Sequence, residues 1–233
     1  MTTPNAVHHM AISTADMKSQ IAFFSDVLGM SLQGLFWMHG VPNAWHAFLQ
    51  MGDASFSFVF IPGNEEKETV MGQTHAGTGA GSSAPGTMQH IAFNVDTMEE
   101  LLTMRDRIRS RGVPVFGPLD HGLCHSIYFA GPENLALEVA TSDQVEHPLD
   151  NQGTWIDADV VALAGISSEE LQQYMAPASY EGQGGTVEQP DYDPDKPHLA
   201  YPKEAYPMML KMADNDFKTR PEDRVPPSLS ADA

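Results

Sequence analysis

The sequence predicts an α+β fold of two tandem βαβββ modules followed by a C-terminal extension. Three observations carry this. The residue pattern that begins at His9 returns at His90. In each copy a short strand-like stretch leads into an amphipathic helix and then into three more strand-like pieces. Composition changes near residue 142: residues 1–142 carry 13 acids and 6 bases, whereas residues 143–233 carry 18 and 6. A long period with only two copies points to a paired-module domain, not a solenoid.

The first module spans about residues 6–62. HMAIS, from His9, suits a strand, and Thr14 or Asp16 can cap the helix that follows. Within MKSQIAFFSDVLGM, residues Met17, Ile21, Phe24, Val27 and Leu28 recur at three- and four-residue steps. They make one helical face, which Gly29 ends. SLQGLFW, WHAFLQM and ASFSFVFI supply three strands, the last with Phe56, Phe58 and Phe60 on one face. A Gly-, Ser- and Thr-rich connector, GNEEKETVMGQTHAGTGAGSSAPGT, leads to the second module, about residues 86–142. There HIAFNV is the first strand. Thr97 and Glu100 form a capping box ahead of LLTMRDRIRSRG, and Gly112 closes the helix. VPVFG, HSIYFAG and NLALEVAT complete the second set of strands. Arg105, Arg107, Arg109 and Arg111 alternate along the helix, so they spread around it and form no single stripe. In the acidic, proline-containing extension, residues 143–233, Ser167 and Glu170 form another capping box. A short helix is expected near 168–176, and the extension is read as partly helical.

Overall composition excludes several classes. Acids outnumber bases 31 to 12 over 233 residues, a formal charge of −19, which argues against binding nucleic acid or an anionic membrane through bulk charge. Hydrophobic residues make up 42%, enough for a packed core. The single cysteine, Cys124, leaves no internal disulfide framework and no cysteine-rich zinc site, and it suits a reducing compartment. No apolar run approaches the ~18 residues of a membrane span. The start, MTTPNAVHHM, lacks the basic and apolar regions of a signal peptide. A cytoplasmic protein is expected.

Three residues stand out chemically. His9 and His90 occupy matching places at the first strand of each module, and Glu138 interrupts the apolar strand ALEVAT. Alternation points Glu138 away from Leu137 and Val139. A charge in a core strand costs several kcal/mol, to order of magnitude, unless it is paired or bound to metal. Two imidazoles and one carboxylate can form a facial triad for Fe(II) with open coordination positions. Such an ion keeps residual positive charge, which suits an anionic oxygen-donor substrate. Each residue also has an ordinary alternative: a structural histidine, or a glutamate held in an ion pair.

The segments HMAISTADMKSQIAFFSDVLGM, HIAFNVD and DHGLCHSIYFAGPENLALEVAT resemble the vicinal oxygen chelate superfamily, which includes glyoxalase I, fosfomycin- and bleomycin-resistance proteins and type I extradiol dioxygenases. The resemblance covers about residues 6–142 and leaves the extension outside it. It implies a half-open barrel of paired modules around a metal site, with His9, His90 and Glu138 as metal ligands and a homodimer as the assembly. His8 is the neighbouring alternative to His9, but His9 precedes MAI as His90 precedes IAF. Glyoxalase-like members carry a further carboxylate in the last strand of the first module. Here that place is Ser57 or Val59, and ASFSFVFI has no acid.

The order His121, Ile127, Tyr128, Pro132, Glu138 resembles the extradiol signature, in which the tyrosine bonds substrate or oxygen species and the histidine supports it. Gly131-Pro132-Glu133-Asn134 departs from that signature's Asp-Pro-x-Gly turn. The acid–base histidine of ring-cleaving relatives is also missing from the Ser57–Val59 region. Either His46, His121, His125 or His75 takes that role or the chemistry differs, and His46, on a strand with Phe36, Trp37, Phe48 and Phe58 nearby in the pattern, is the pocket candidate. Tyr128, His121 and His46 are therefore the expected catalytic residues. The implied activity is a non-haem Fe(II) extradiol dioxygenase acting on a small catechol-like aromatic with O2. Two alternatives keep the fold: a glyoxalase I-like lyase or isomerase using Mn, Ni, Co or Zn, and a non-catalytic aromatic-ligand-binding protein.

Overall fold

The computed structural model describes residues 3–202, 204–218 and 221–229. Its first module runs β1 (His9–Ser13), α1 (Met17–Ala22), β2 (Leu32–Trp37), β3 (Trp45–Met51) and β4 (Ala54–Phe60). The second runs β5 (Ile91–Asn94), α2 (Met98–Ser110), β6 (Phe116–Asp120), β7 (His125–Ala130) and β8 (Ala136–Thr141). Each module forms one four-stranded mixed sheet, ordered β1-β4-β3-β2 and β5-β8-β7-β6, with its first strand parallel to its last. The two βαβββ modules expected from the repeat are present. Among the described residues no strand ladder joins the sheets, so they do not close into a barrel.

The helices begin where side-chain acceptors are available. Asp16, not Thr14, caps α1 by accepting from the Ser19 amide at 3.0 Å. After Ala22 the chain widens into a π-helical turn, Phe23–Val27, and Gly29 leaves it at φ +80°. A side chain at Gly29 would meet the Arg107 guanidinium at 3.0 Å. That guanidinium donates from Nε to the Val27 carbonyl and from Nη2 to the Asp26 carbonyl, both at 2.9 Å, satisfying acceptors at the helix end. The Thr97–Glu100 capping box opens α2, and Arg109 and Arg111 point to other partners, the Val115 carbonyl and the Asp26 carboxylate. The second strand of the second module starts later than VPVFG suggested. Val113 and Val115 pack against the core as irregular chain, and the ladder begins at Phe116.

One apolar core serves both modules. Phe24 is fully buried between Phe56 and Phe58 of β4, with ring centroids at 5.0 and 4.9 Å, and reaches Phe93 of β5 at 6.3 Å. Phe56 meets Phe93 at 5.5 Å, and Leu101, Ile108, Ile127, Leu137 and Val139 complete the second module's share. Strand alternation therefore gives each sheet a core face and an open face.

A polar link also crosses the modules. Glu133, in the turn before β8, has φ +53° and ψ +33°. Its carboxylate accepts from Thr14 Oγ1 at 2.6 Å, Gln20 Nε2 at 2.7 Å and the Ala15 and Asp16 amides at 2.7 and 3.3 Å. Burial alone would raise the Glu133 pKa. The donors from Thr14, Ala15, Gln20 and Asp16 outweigh it and hold the carboxyl below its ordinary range.

The compact unit that contains both modules runs from Asn5 to Ala178, beyond the composition change at residue 142. It includes α3 (Ala158–Leu163) and α4 (Ser168–Met175), the latter opened by the expected Ser167–Glu170 capping box. Thr3 and Pro4 belong with the described residues from Ser179 onward to a second unit. That unit carries α5 (Ala205–Met209) and an aromatic cluster of Tyr192, His198, Tyr201 and Tyr206. Among the described residues no helix is long and apolar enough to cross a membrane.

Candidate functional site

The strand registers show why the two histidines are equivalent. Ala11 of β1 lies opposite Ser57 of β4, and Ala92 of β5 lies opposite Glu138 of β8. His9 and His90 each stand two residues before those alanines, so both belong to the open face of their sheet. The same register makes Ser57 the counterpart of Glu138. Ser57 is buried, and its hydroxyl has no hydrogen-bond partner in the structure.

On the second sheet four expected residues come together. Glu138 is only 4% exposed, and its Oε2 lies 3.0 Å from His90 Nε2. Tyr128, opposite Glu138 across the β7–β8 ladder, places its hydroxyl 3.0 Å from His121 Nε2. The Tyr128 and His90 rings are 6.4 Å apart. Burial pushes the Tyr128 phenol above its ordinary pKa and outweighs a Ser126 hydrogen bond that acts the other way; the Glu138 carboxylate adds to the rise. Tyr128 therefore keeps its proton at neutral pH. His121 is exposed, whereas Tyr128 is partly buried, so the pair spans from the cleft to solvent.

His90, Tyr128 and His121 edge a cleft of about 570 Å³, with Glu138 behind His90, and its other walls are mostly apolar: Phe116, Leu119, Leu135 and Ala136 from the module, and Met71 with Gly77–Ala80 from the connector. The connector, read from sequence as a flexible link, thus forms one wall. Gly79 lies against Tyr128, where an added Cβ would sit 3.5 Å from the ring. Gln89, next to His90, was not singled out by sequence reasoning. Its Oε1 contacts His90 Nδ1, while its Nε2 donates to the Thr78 and Gly81 carbonyls at 3.0 and 3.3 Å. Adjacency to His90 was the only signal that could have found it.

His9 and His46 lie elsewhere, on the first sheet. His9 contacts His8 (Nδ1 to Nδ1, 2.9 Å) and the Phe48 ring at 5.9 Å. His46 is wedged between Phe36 and Phe48, at 4.3 and 4.8 Å, with a buried Nε2 that has no partner. Burial lowers its pKa, and the charges of His39 and His9 lower it further. His75 bonds Thr74, and His125 faces Asp120 at 4.0 Å. Among the described residues no three His, Cys, Asp or Glu side chains are disposed to hold a metal ion. The structure unites His90 with Glu138 and Tyr128 with His121; it does not bring His9 or His46 to them.

His90 and Glu138 nevertheless suit a divalent cation. One imidazole nitrogen and one carboxylate oxygen are ligand types for first-row metals, and a carboxylate this buried needs a compensating positive charge.

Comparison with known proteins gives one family. The model of the Glyoxalase/Bleomycin resistance protein/Dioxygenase superfamily matches residues 6–147. Solved structures that resemble the chain include a lactoylglutathione lyase from Agrobacterium tumefaciens, 19% identical, covering 60% of this chain and 96% of that one at a TM-score of 0.42. Another is a glyoxylase/bleomycin resistance protein/dioxygenase domain from Frankia sp. EAN1pec: 15% identical, 62% and 96% covered, TM-score 0.49. A third is the fosfomycin resistance protein FosX from Listeria monocytogenes, complexed with Mn(II) and sulfate: 15% identical, 61% and 96% covered, TM-score 0.42.

Proposed function

This chain belongs to the glyoxalase/bleomycin resistance protein/dioxygenase superfamily, and from that premise we propose that it is an extradiol-type dioxygenase opening a catechol-like ring with O2. The observation that carries the reading is the pairing of His90–Glu138 with Tyr128–His121 beside an apolar cleft. Glu138 and His90 Nε2 would hold Fe(II). The iron would supply the positive charge that favours an ionised diol and the redox-active centre that O2 requires. The apolar walls admit an aromatic ring and disfavour a charged chain. Tyr128, held in its protonated form, donates a hydrogen bond towards substrate oxygen, and His121 exchanges that proton with solvent. One ring C–C bond next to the diol breaks, and both O2 atoms enter the product, so no external reductant is needed.

The third ligand, in this reading, is His9 from a second copy, since the chain leaves its own His9 on the first sheet with Phe48. His46 would arrive with it, because both belong to the first module. Mixing inactive His9→Ala and Glu138→Ala proteins tests this. A shared site restores about a quarter of wild-type activity, from the one intact site of each mixed dimer in a statistical mixture. No restoration points to sites completed within one chain.

The principal experiment is anaerobic loading with Fe(II), then a panel of catechols with O2, followed by absorbance of ring-opened product. Clean lyase or isomerase turnover with Mn, Ni, Co or Zn, and no ring opening, would overturn the dioxygenase reading. One observation favours a second reading. His90 and Glu138 already satisfy one another at 3.0 Å, which a metal-free aromatic-binding protein would retain. Tight aromatic binding by protein that takes up no metal would support it.

A further inference from the structure

We propose that Gln89 is a positioning residue that ties the connector, at Thr78–Gly81, to the ring of His90, so that metal binding at His90–Glu138 and closure of the connector over the cleft favour one another. This rests on the reading of His90 as a metal ligand.

The argument starts from the two ends of one amide. The Gln89 –NH2 donates to two backbone carbonyls, Thr78 at 3.0 Å and Gly81 at 3.3 Å. Those are pure acceptors, so the reversed amide would set oxygen against two oxygens. The orientation is thereby fixed, and the atom that faces His90 Nδ1 is the amide oxygen. An oxygen there can only accept, so Nδ1 must carry a hydrogen. The ring is then held with Nε2 directed at Glu138 Oε2, 3.0 Å away. A ring fixed through its far nitrogen loses less freedom when the near nitrogen takes a cation.

The other end of the amide organises the connector. Thr78 and Gly81 are already joined by a turn, the Gly81 amide donating to the Thr78 carbonyl at 3.1 Å. Gln89 fastens that turn where Gly77–Ala80 wall the cleft and Gly79 lies against Tyr128. Within the connector the Ala84 amide donates to the Gln73 carbonyl at 2.9 Å, and Gly79 lies against Tyr128; Gln89 adds the side-chain tie that links this segment to the ring of His90. Linkage then works in both directions: what orders the ring orders the connector, by the same free energy.

The test uses the full chain and Zn(II) as a redox-inert probe, with metal affinity by calorimetry and amide hydrogen exchange across residues 77–84. In the wild type, Zn(II) slows exchange in that segment. Gln89→Leu weakens Zn(II) binding about tenfold and abolishes the response of the connector to metal. Gln89→Glu separates the two ends: its carboxylate still accepts from Nδ1, so affinity stays within about threefold, but it cannot donate to Thr78 and Gly81, and the connector exchanges faster. In metal-free protein, His90→Ala also speeds exchange at 77–84, because Gln89 loses the partner that fixes its amide. Wild-type Zn(II) affinity in Gln89→Leu, or unchanged connector exchange in His90→Ala, would overturn the proposal. If the wild type binds no metal at all, the metal-site reading fails, and the metal-free His90→Ala comparison still decides the role of Gln89.

Discussion

Replacing Glu133 probes what holds the second module's turn to the first module's helix. Alanine removes the acceptor for Thr14 Oγ1 and Gln20 Nε2, whose residues are 2% and 0% exposed, frees the Ala15 amide and leaves the Asp16 amide with Thr14 Oγ1 alone. Hydrogen bonds to a charged group contribute about 1.5–3 kcal/mol each, and a stranded buried donor costs about 1–3 kcal/mol. Glu133 itself is half-buried, so water replaces part of the loss at the two amides. With that discount the expected cost is about 2–4 kcal/mol. Glutamine keeps the shape and one acceptor, so it should cost about half as much. Glycine loses the bonds too but releases the left-handed strain at φ +53°, worth about 1–2 kcal/mol, and should fall above alanine in stability. Urea unfolding followed by tryptophan fluorescence measures all three. An alanine variant within 0.5 kcal/mol of wild type, taking that as roughly the spread of ordinary surface substitutions, would refute the reasoning. The sign of the pH dependence is also fixed. A carboxyl held below its ordinary range contributes stability that is complete above the unfolded-state pKa. That contribution is lost as pH falls through the folded-state pKa, so wild type and Glu133→Gln should converge on the acid side.

Other consequences follow from single contacts. Phe24→Ala opens the junction of both modules and should cost about 3–5 kcal/mol in the same assay. Gly29→Ala places a Cβ 3.0 Å from the Arg107 guanidinium at φ +80°, and should cost about 1–3 kcal/mol by thermal unfolding. Tyr128→Phe should leave Zn(II) affinity unchanged while lowering kcat for ring opening about 10²-fold; a loss of metal affinity instead would place Tyr128 in metal binding. His46, lowered by burial, should show an NMR titration midpoint below the ordinary histidine range. Its contribution to stability is complete above that range and declines as pH falls through it, because the unfolded chain then takes up the proton first.

Much of the fold was legible because its signals are local. Phe56 and Phe58 alternate in sequence and are fully buried on one sheet face; Thr97 with Glu100 and Ser167 with Glu170 cap the helices they announced. The equivalence of His9 with His90 was legible too, since a repeat conserves register. Ambiguity between Thr14 and Asp16 was resolved only by a distant residue: Glu133 takes the Thr14 hydroxyl, and Asp16 caps the helix. Likewise, nothing local in GTGAG marks the connector as a cleft wall. Its place depends on Gln89 and on the neighbouring Tyr128 ring, contacts made across eleven residues in one case and across a module boundary in the other. The separation of His9 from Glu138 is a matter of how two sheets are arranged, on which side-chain periodicity within either sheet is silent.

The shared core has a consequence for synthesis. Each sheet can close on itself, since β1 pairs with β4 before any of the second module is needed. Phe24 and Phe56, however, keep one side bare until Phe93 arrives. At about 5–20 residues per second, the stretch from Phe58 to Phe93 emerges from a ribosome over roughly 2–7 s. Throughout that interval the nascent first module presents an unfinished aromatic surface. Translation speed across the connector therefore sets how long a chaperone, or another nascent chain, can compete with the second module for it.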